Sequence, residues 1–524
     1  MIARARVAAA LALTFGLAAC SGGGSSGGGV NVVPPVGVPG STAPVQKLSI
    51  VGVGDSLTAG TQSSGTMGAP IPGPLGTIPG VGVIAPPPVG VPATQENGFF
   101  SLLWQQANGV SYASMFNPAT SPLPLLKPPG VGGLLAPTST HIFPAPVSNV
   151  CDASQIPANQ FSTALSLRLN PNLNPYDVGI PGLTVHESLF MVGATGDCTL
   201  TPQDPAAFVQ LNSLVNGESQ NFWPILAGFG QGVSQVGAAA SLHAQVATVW
   251  LGSNDLLKVA FSGGAAPVTS PQSMHDDTVS IIKQLQRAGS KVAVANLVDV
   301  MGAATFIPQP AYQPTLQAYI TGLLIAQGVA PAQAQAAAVL YSTAYAAQET
   351  AQTGLGPNGY FTINALFKTL QTAAAQIPAH APPAAPTLTS GDFIADAVAN
   401  NVKALNASYN VAIGQAVSET GAALVDIHAV FVQIATAGGV PINPPNCCSL
   451  VYRGGLSSLD GLHPSNTGYA IIANAFIASL NAAYGLGIPQ VNVSDVYFGN
   501  NGYPGDPFAP GNGVSGFAVQ RLAR

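Results

Sequence analysis

The chain has 524 residues and a net charge of −6; 47% of it is apolar and only 6% charged, against roughly 25% charged in an average soluble domain. That is enough apolar material for a large core, and too hydrophobic and too weakly charged for a chain disordered throughout. The 14 Lys and Arg residues are scattered, which excludes the clustered basic face that nucleic-acid binding needs, so no nucleic-acid partner is expected.

In chain order, the first element is a targeting segment. MIARAR is basic, and VAAALALTFGLAA is an apolar stretch of signal-peptide length. It is shorter than the about 20 apolar residues of a membrane span. It ends in Leu17-Ala18-Ala19-Cys20, which resembles the lipobox of bacterial lipoproteins. That resemblance implies a signal peptide over residues 1–19 and lipidation of Cys20. The Gly/Ser/Pro-rich stretch over 20–45 has the composition of a flexible tether. The expectation is an exported lipoprotein, anchored to a membrane by its N-terminal lipid, in the periplasm or at the cell surface. Four further cysteines, Cys151, Cys198, Cys447 and Cys448, are an even number in an exported chain and read as disulfides. Their number allows three pairings. Cys151–Cys198 is the favoured one, because a bond between the adjacent Cys447 and Cys448 would be strained. A zinc site is not expected, since C-x-x-C spacing is missing.

Four apolar runs read as buried parallel strands: KLSIVGVGDS (47–56), QVATVWLGSND (245–255), KVAVANLVDV (291–300) and AALVDIHAVF (422–431). Helical patterns lie between them. NGFFSLLWQQA (97–107) follows the first strand. SMHDDTVSIIKQLQRAG (273–289) places Val279, Ile282 and Leu285 on one face and stops at Gly289. Val398, Val402, Leu405, Tyr409 and Ala412 form a stripe at helical spacing before the fourth strand. This alternation predicts an α/β fold with a mostly parallel sheet, in one domain over 46–490 with a C-terminal extension over 491–524. Two stretches interrupt it. Residues 61–95 are Pro/Gly-rich. Residues 302–390 are Ala/Gln-rich and helical in pattern, with Pro331 at a helix start and Leu366, Leu370, Ala373 and Ile377 on one face. Such insertions serve as lids or binding loops, or are inert decoration.

The chemistry concentrates in four short blocks. GDSLTAG (54–60) places Ser56 at the end of an apolar run, where it is either a turn residue or a nucleophile. A nucleophilic serine needs a base, and the base an orienting acid. Asp460 and His463, in DGLHP (460–464), are three residues apart, close enough for a carboxylate to hold an imidazole. PGLT (181–184) offers a backbone N–H at Gly182, and GSND (252–255) an amide at Asn254, which is expected to end a strand. Both suit a developing oxyanion. Together these blocks, in this order, resemble the SGNH/GDSL hydrolase family, over about residues 47–486 and with the two insertions as departures.

The resemblance implies a flavodoxin-like three-layer α/β/α sandwich and ester hydrolysis through an acyl-enzyme. It makes Ser56, His463 and Asp460 the catalytic triad, and Ser56, Gly182 and Asn254 the oxyanion hole, with no metal or cofactor. Lipid esters, acetylated glycans and small esters all remain open as substrates. Acyl transfer on the same site, and an inactive surface binding protein on a hydrolase scaffold, are the alternatives. Asp55 and Asp255 read as supports for their own turns, and His428 as a structural histidine. His186 and Arg453 read as surface or loop groups near the site.

Overall fold

The computed structural model describes residues 47–62, 94–127, 168–191, 225–230, 233–442, 448–452, 454–458, 460–506 and 509. Within them lie seven strands: β1 (Ile50–Gly54), β2 (Val246–Trp250), β3 (Lys291–Ala295), β4 (Phe306–Pro308), β5 (Tyr360–Thr362), β6 (Phe393–Ile394) and β7 (Ala423–Val425). The described helices begin with α1 (Phe99–Asn108), α2 (Val185–Phe190), α3 (Gln235–Ser241), α4 (Ser253–Phe261) and α5 (Pro271–Arg287). They continue with α6 (Gln309–Ala326), α7 (Pro331–Thr353), α8 (Ile363–Gln376) and α9 (Asp396–Thr420). The last are α10 (Ile427–Ala437), α11 (Asn466–Tyr484) and α12 (Val493–Phe498).

β1, β2, β3 and β7 form one parallel sheet in that order, with Ile50 opposite Val246 and Val246 opposite Lys291. The segment Tyr176–Ile180 runs along the outer edge of β1: Gly52 donates to the Tyr176 carbonyl at 2.9 Å and accepts from Val178 at 3.0 Å. Every residue of β1 and β2 is buried, which explains their unbroken apolar runs. Alternate side chains face opposite sides, and helices cover both. On one side Val51, Val53, Ala247, Val249, Val292 and Val294 share a core with α5 and α9. On the other, Trp250 meets Phe99 of α1 edge-on at 5.7 Å, and Phe99 stacks on Phe476 of α11 at 4.7 Å. The result is a three-layer α/β/α sandwich, the architecture that the resemblance implied, on the parallel sheet that the alternation predicts.

Helix ends follow local chemistry. Ser270 caps α5 by accepting from the Ser273 N–H at 3.0 Å, with Pro271 in the first turn. In α5 Ile282 and Leu285 are fully buried and Val279 packs against the same core. The α9 stripe is likewise core: Val402, Tyr409 and Ala412 are buried, and Val398 and Leu405 pack beside them.

Three strand ends differ from expectation. KVAVANLVDV is extended only to Ala295, where β3 stops, and the Asp299 carboxylate caps a short turn over Val300–Gly302, accepting from the Met301 N–H at 3.1 Å. AALVDIHAVF does not stay extended, because β7 stops at Val425 and the Asp426 carboxylate caps α10, accepting from the Ala429 N–H at 3.0 Å. GSND does not end a strand either. β2 stops at Trp250, Gly252 turns the chain at φ +114°, and Asn254 lies in the first turn of α4.

The second insertion is helical, with Pro331 opening α7 and Leu366 and Ala373 buried in α8. It also carries β4 and β5, which pair with β6 in an antiparallel sheet that no periodicity announced. Tyr312, Leu316, Tyr345 and Phe361 form a core of its own. In the stretch read as an extension, α12 is followed by Asp506, whose carboxylate accepts from the N–H and hydroxyl of Thr467 in α11 at 2.9 and 2.7 Å. No described helix is long and apolar enough to cross a membrane. The stretches read as a signal segment and a tether, with Cys20, Cys151, Cys198, Cys447, Arg453 and residues 63–93, lie outside the described residues.

Candidate active site

Ser56 stands in the turn that follows β1, at the end of the sheet where parallel strands present their ligand-binding groups. The turn is held by Asp55, whose Oδ1 accepts from the Leu57 N–H at 2.9 Å, and by the Ser56 carbonyl, which accepts from Thr61 at 2.9 Å. Asp460 and His463 come from the loop before α11. That loop is closed on itself: the Ser458 N–H donates to the His463 carbonyl at 2.7 Å. Asp460 Oδ1 accepts from the Ser458 hydroxyl and from the N–H groups of Leu462 and His463, at 2.8–2.9 Å. Asp460 Oδ2 is left for the ring, and lies 2.7 Å from His463 Nδ1. His463 Nε2 in turn lies 2.8 Å from Ser56 Oγ. With Nδ1–H donating to the carboxylate, Nε2 is the acceptor for the serine hydroxyl.

The charges fit this order. Burial alone would push Asp460 up, but the facing His463 ring and the N–H donors hold it well below the usual carboxylate range. Burial pulls His463 down, yet the Asp460 carboxylate and its hydrogen bond outweigh that, and the imidazole ends above its ordinary value. An imidazole so placed is more basic than a free one. Asp55 is also buried, and burial pushes it up to about 7 despite the Leu57 N–H and the nearby His463.

Asn254 and Gly182 flank this group differently. Asn254 Nδ2 lies 3.1 Å from Asp55 Oδ2 and 3.1 Å from the Leu183 carbonyl, so its two N–H groups tie the serine turn to the PGLT turn. Gly182 has φ +90°, in the left-handed region that glycine enters without steric cost. Among the described residues, none accepts the backbone N–H of Ser56 or of Gly182. A cleft of about 520 Å³, counted with its open mouth, is lined by Ser56, Asn254 and His463, with apolar walls that include Leu57, Trp250, Leu257, Val300 and Phe431. Gly182 does not line it. No group of three or more His, Cys, Asp or Glu among the described residues is arranged to hold a metal ion.

Other residues singled out in the sequence lie around this group. Asp255 reaches beyond its own turn: its carboxylate accepts from the Val185 N–H at 3.1 Å and from the Thr269 hydroxyl at 2.6 Å, and so pins the start of α2. Beside it, Glu187 closes a capping box with Thr184 and pairs with Lys258 at 3.1 Å. Thr184-x-x-Glu187 is a capping-box pattern, the signal by which this bracing could have been found. His186 pairs with Asp277 at 3.0 Å, and neither it nor His428 lines the cleft.

No match was found among curated proteins or solved structures. The profile of the family described as GDSL-like lipase/acylhydrolase matches residues 159–476, more than half of the chain. That span carries Gly182, Asn254, Asp460 and His463, while Ser56 lies upstream of it, joined to the matched part by the fold. On this match the chain belongs to the GDSL-like lipase/acylhydrolase family, hydrolases of the esterase and lipase type.

Proposed function

We propose that the protein is a serine esterase that hydrolyses carboxylic esters with an apolar acyl group through an acyl-enzyme. The observation that carries this reading is the chain of contacts from Asp460 Oδ2 through His463 to Ser56 Oγ, at 2.7 and 2.8 Å, on an apolar cleft. His463 Nε2 takes the serine proton as Oγ attacks the ester carbonyl, and Asp460 stabilises the imidazolium. The Ser56 N–H, which no described residue engages, and the Asn254 amide, both on the cleft, receive the oxyanion, and the family resemblance adds the Gly182 N–H. His463 then protonates the leaving alcohol, and water reverses the roles to release the acid. Ser56→Ala and His463→Ala should each lower kcat by about 10⁴-fold or more, with unchanged melting curves. Retention of about a tenth of the activity in either variant refutes the assignment.

A further inference from the structure

The second insertion touches the site along a seam. Thr305, at its start, donates its N–H to the Gly461 carbonyl at 2.8 Å, and its own carbonyl accepts from Ile363, the first residue of α8, at 2.9 Å. Gly461 lies between Asp460 and His463. A Cβ there would fall 2.8 Å from the Thr305 nitrogen and 3.0 Å from its Cα, so the two backbones are in direct contact.

A second attachment lies ahead of Asp460. Tyr452 is 9% exposed and belongs to the core of the insertion. Its ring meets Phe367 of α8 edge-on at 5.9 Å and Tyr319 of α6 at 6.3 Å. The Tyr319 hydroxyl donates to the Tyr452 carbonyl at 3.4 Å. The loop that carries Asp460 and His463 is therefore fastened to the insertion both before the pair and within it.

We propose that the insertion is a brace for the Asp460–His463 pair, and that Tyr452 is a positioning residue acting through the loop between them. This rests on the roles given above to Ser56, Asp460 and His463. The physical ground is the tolerance of the site: a misplacement of about 1 Å costs on the order of 10²-fold in rate, and the contacts of the insertion at Gly461 and Tyr452 add to those the loop makes with itself and with Ser56.

The test is Tyr452→Ala, with Tyr452→Phe as the conservative rescue, in the full-length chain. Hydrogen exchange over residues 456–465 reads the loop whether or not the enzyme is active. Tyr452→Ala should speed exchange there about tenfold while peptides of β1 and β2 stay protected. It should lower kcat about tenfold with KM within about twofold, and Tyr452→Phe should keep both near wild type. A purely structural residue would lower the folded fraction and leave loop exchange and kcat per folded molecule unchanged. That result overturns the proposal, and so does faster exchange with unaltered kcat. If Tyr452→Ala does not fold, Phe367→Ala, which removes from α8 the ring that Tyr452 meets, is read by the same measurements with the same refuting outcomes. If wild type shows no Ser56-dependent hydrolysis, the esterase reading is the one that fails, and the exchange measurement alone decides the brace.

Discussion

Asn254→Ala separates chemistry from architecture more sharply than any other single change. The side chain makes two contacts at 3.1 Å, to Asp55 Oδ2 and to the Leu183 carbonyl. Each is worth about 0.5–1.5 kcal/mol net, so their loss should destabilise the fold by about 1–3 kcal/mol. If that were the residue's whole role, activity would fall only with the folded fraction. An oxyanion donor behaves otherwise, because it meets its partner fully only as charge develops on the carbonyl oxygen. The expected loss is then roughly 10²–10³ in kcat, about 2.7–4 kcal/mol of transition-state stabilisation, with KM little changed. One amide N–H must turn from Asp55 towards the substrate or be shared between them. Asn254→Asp should do no better, since a second carboxyl would stand beside Asp55 and repel the oxyanion. The assay is steady-state kinetics on one soluble ester, with a melting curve for each variant. A wild-type kcat in well-folded Asn254→Ala refutes the argument.

Three further outcomes are expected. Glu96 is fully buried, no other described residue hydrogen-bonds its carboxylate, and burial pushes it up from 4.5 to about 8 despite its own backbone N–H. The stability it contributes is full below the unfolded value and is lost as pH rises through the folded one, a change of about 5 kcal/mol at about 1.4 kcal/mol per pH unit; urea midpoints of Glu96→Gln should therefore match wild type near about pH 4.5 and exceed it by about pH 8, and parallel profiles would contradict this. At the N-terminus, wild type should take up labelled fatty acid and partition with membranes while Cys20→Ser does not; absence of label from both proteins means an ordinary signal. Peptide mapping without reduction should find Cys151 joined to Cys198, closing a loop worth about 4 kcal/mol, and a Cys151 peptide linked to Cys447 or Cys448 would refute that pairing.

What could be read in advance, and what could not, follows from the range of the forces involved. β1 to β3 and the helices α1, α5 and α9 announce themselves through burial, which imposes a period on the sequence. The meeting of Ser56 with Asp460 and His463 was legible only as an ordered set of blocks, since spacing along a chain does not give distance in space. The end of AALVDIHAVF departs from its apolar pattern because Asp426 acts as a cap, a local hydrogen bond that overrides an apolar run. Asn254 departs from a strand end for a similar reason: Gly252 breaks the strand two residues before it. The antiparallel sheet β4–β5–β6 left no trace, because strands of two or three residues are too short to show alternation. The reach of Asp255 to Val185 is a tertiary contact between two blocks that each looked self-contained.

The hydrogen bond between Ser56 and His463 joins residues 407 apart in the chain. One partner follows the first described strand, and the other precedes α11. Between them in the chain lie β2, β3 and β7, the other three strands of the parallel sheet that begins with β1. Contacts of such wide separation form slowly, because the entropy of closing the intervening chain is lost before the contact returns anything. The reactivity proposed above for Ser56 depends on that closure. During refolding, its appearance should mark the moment when Ser56 and His463 come together.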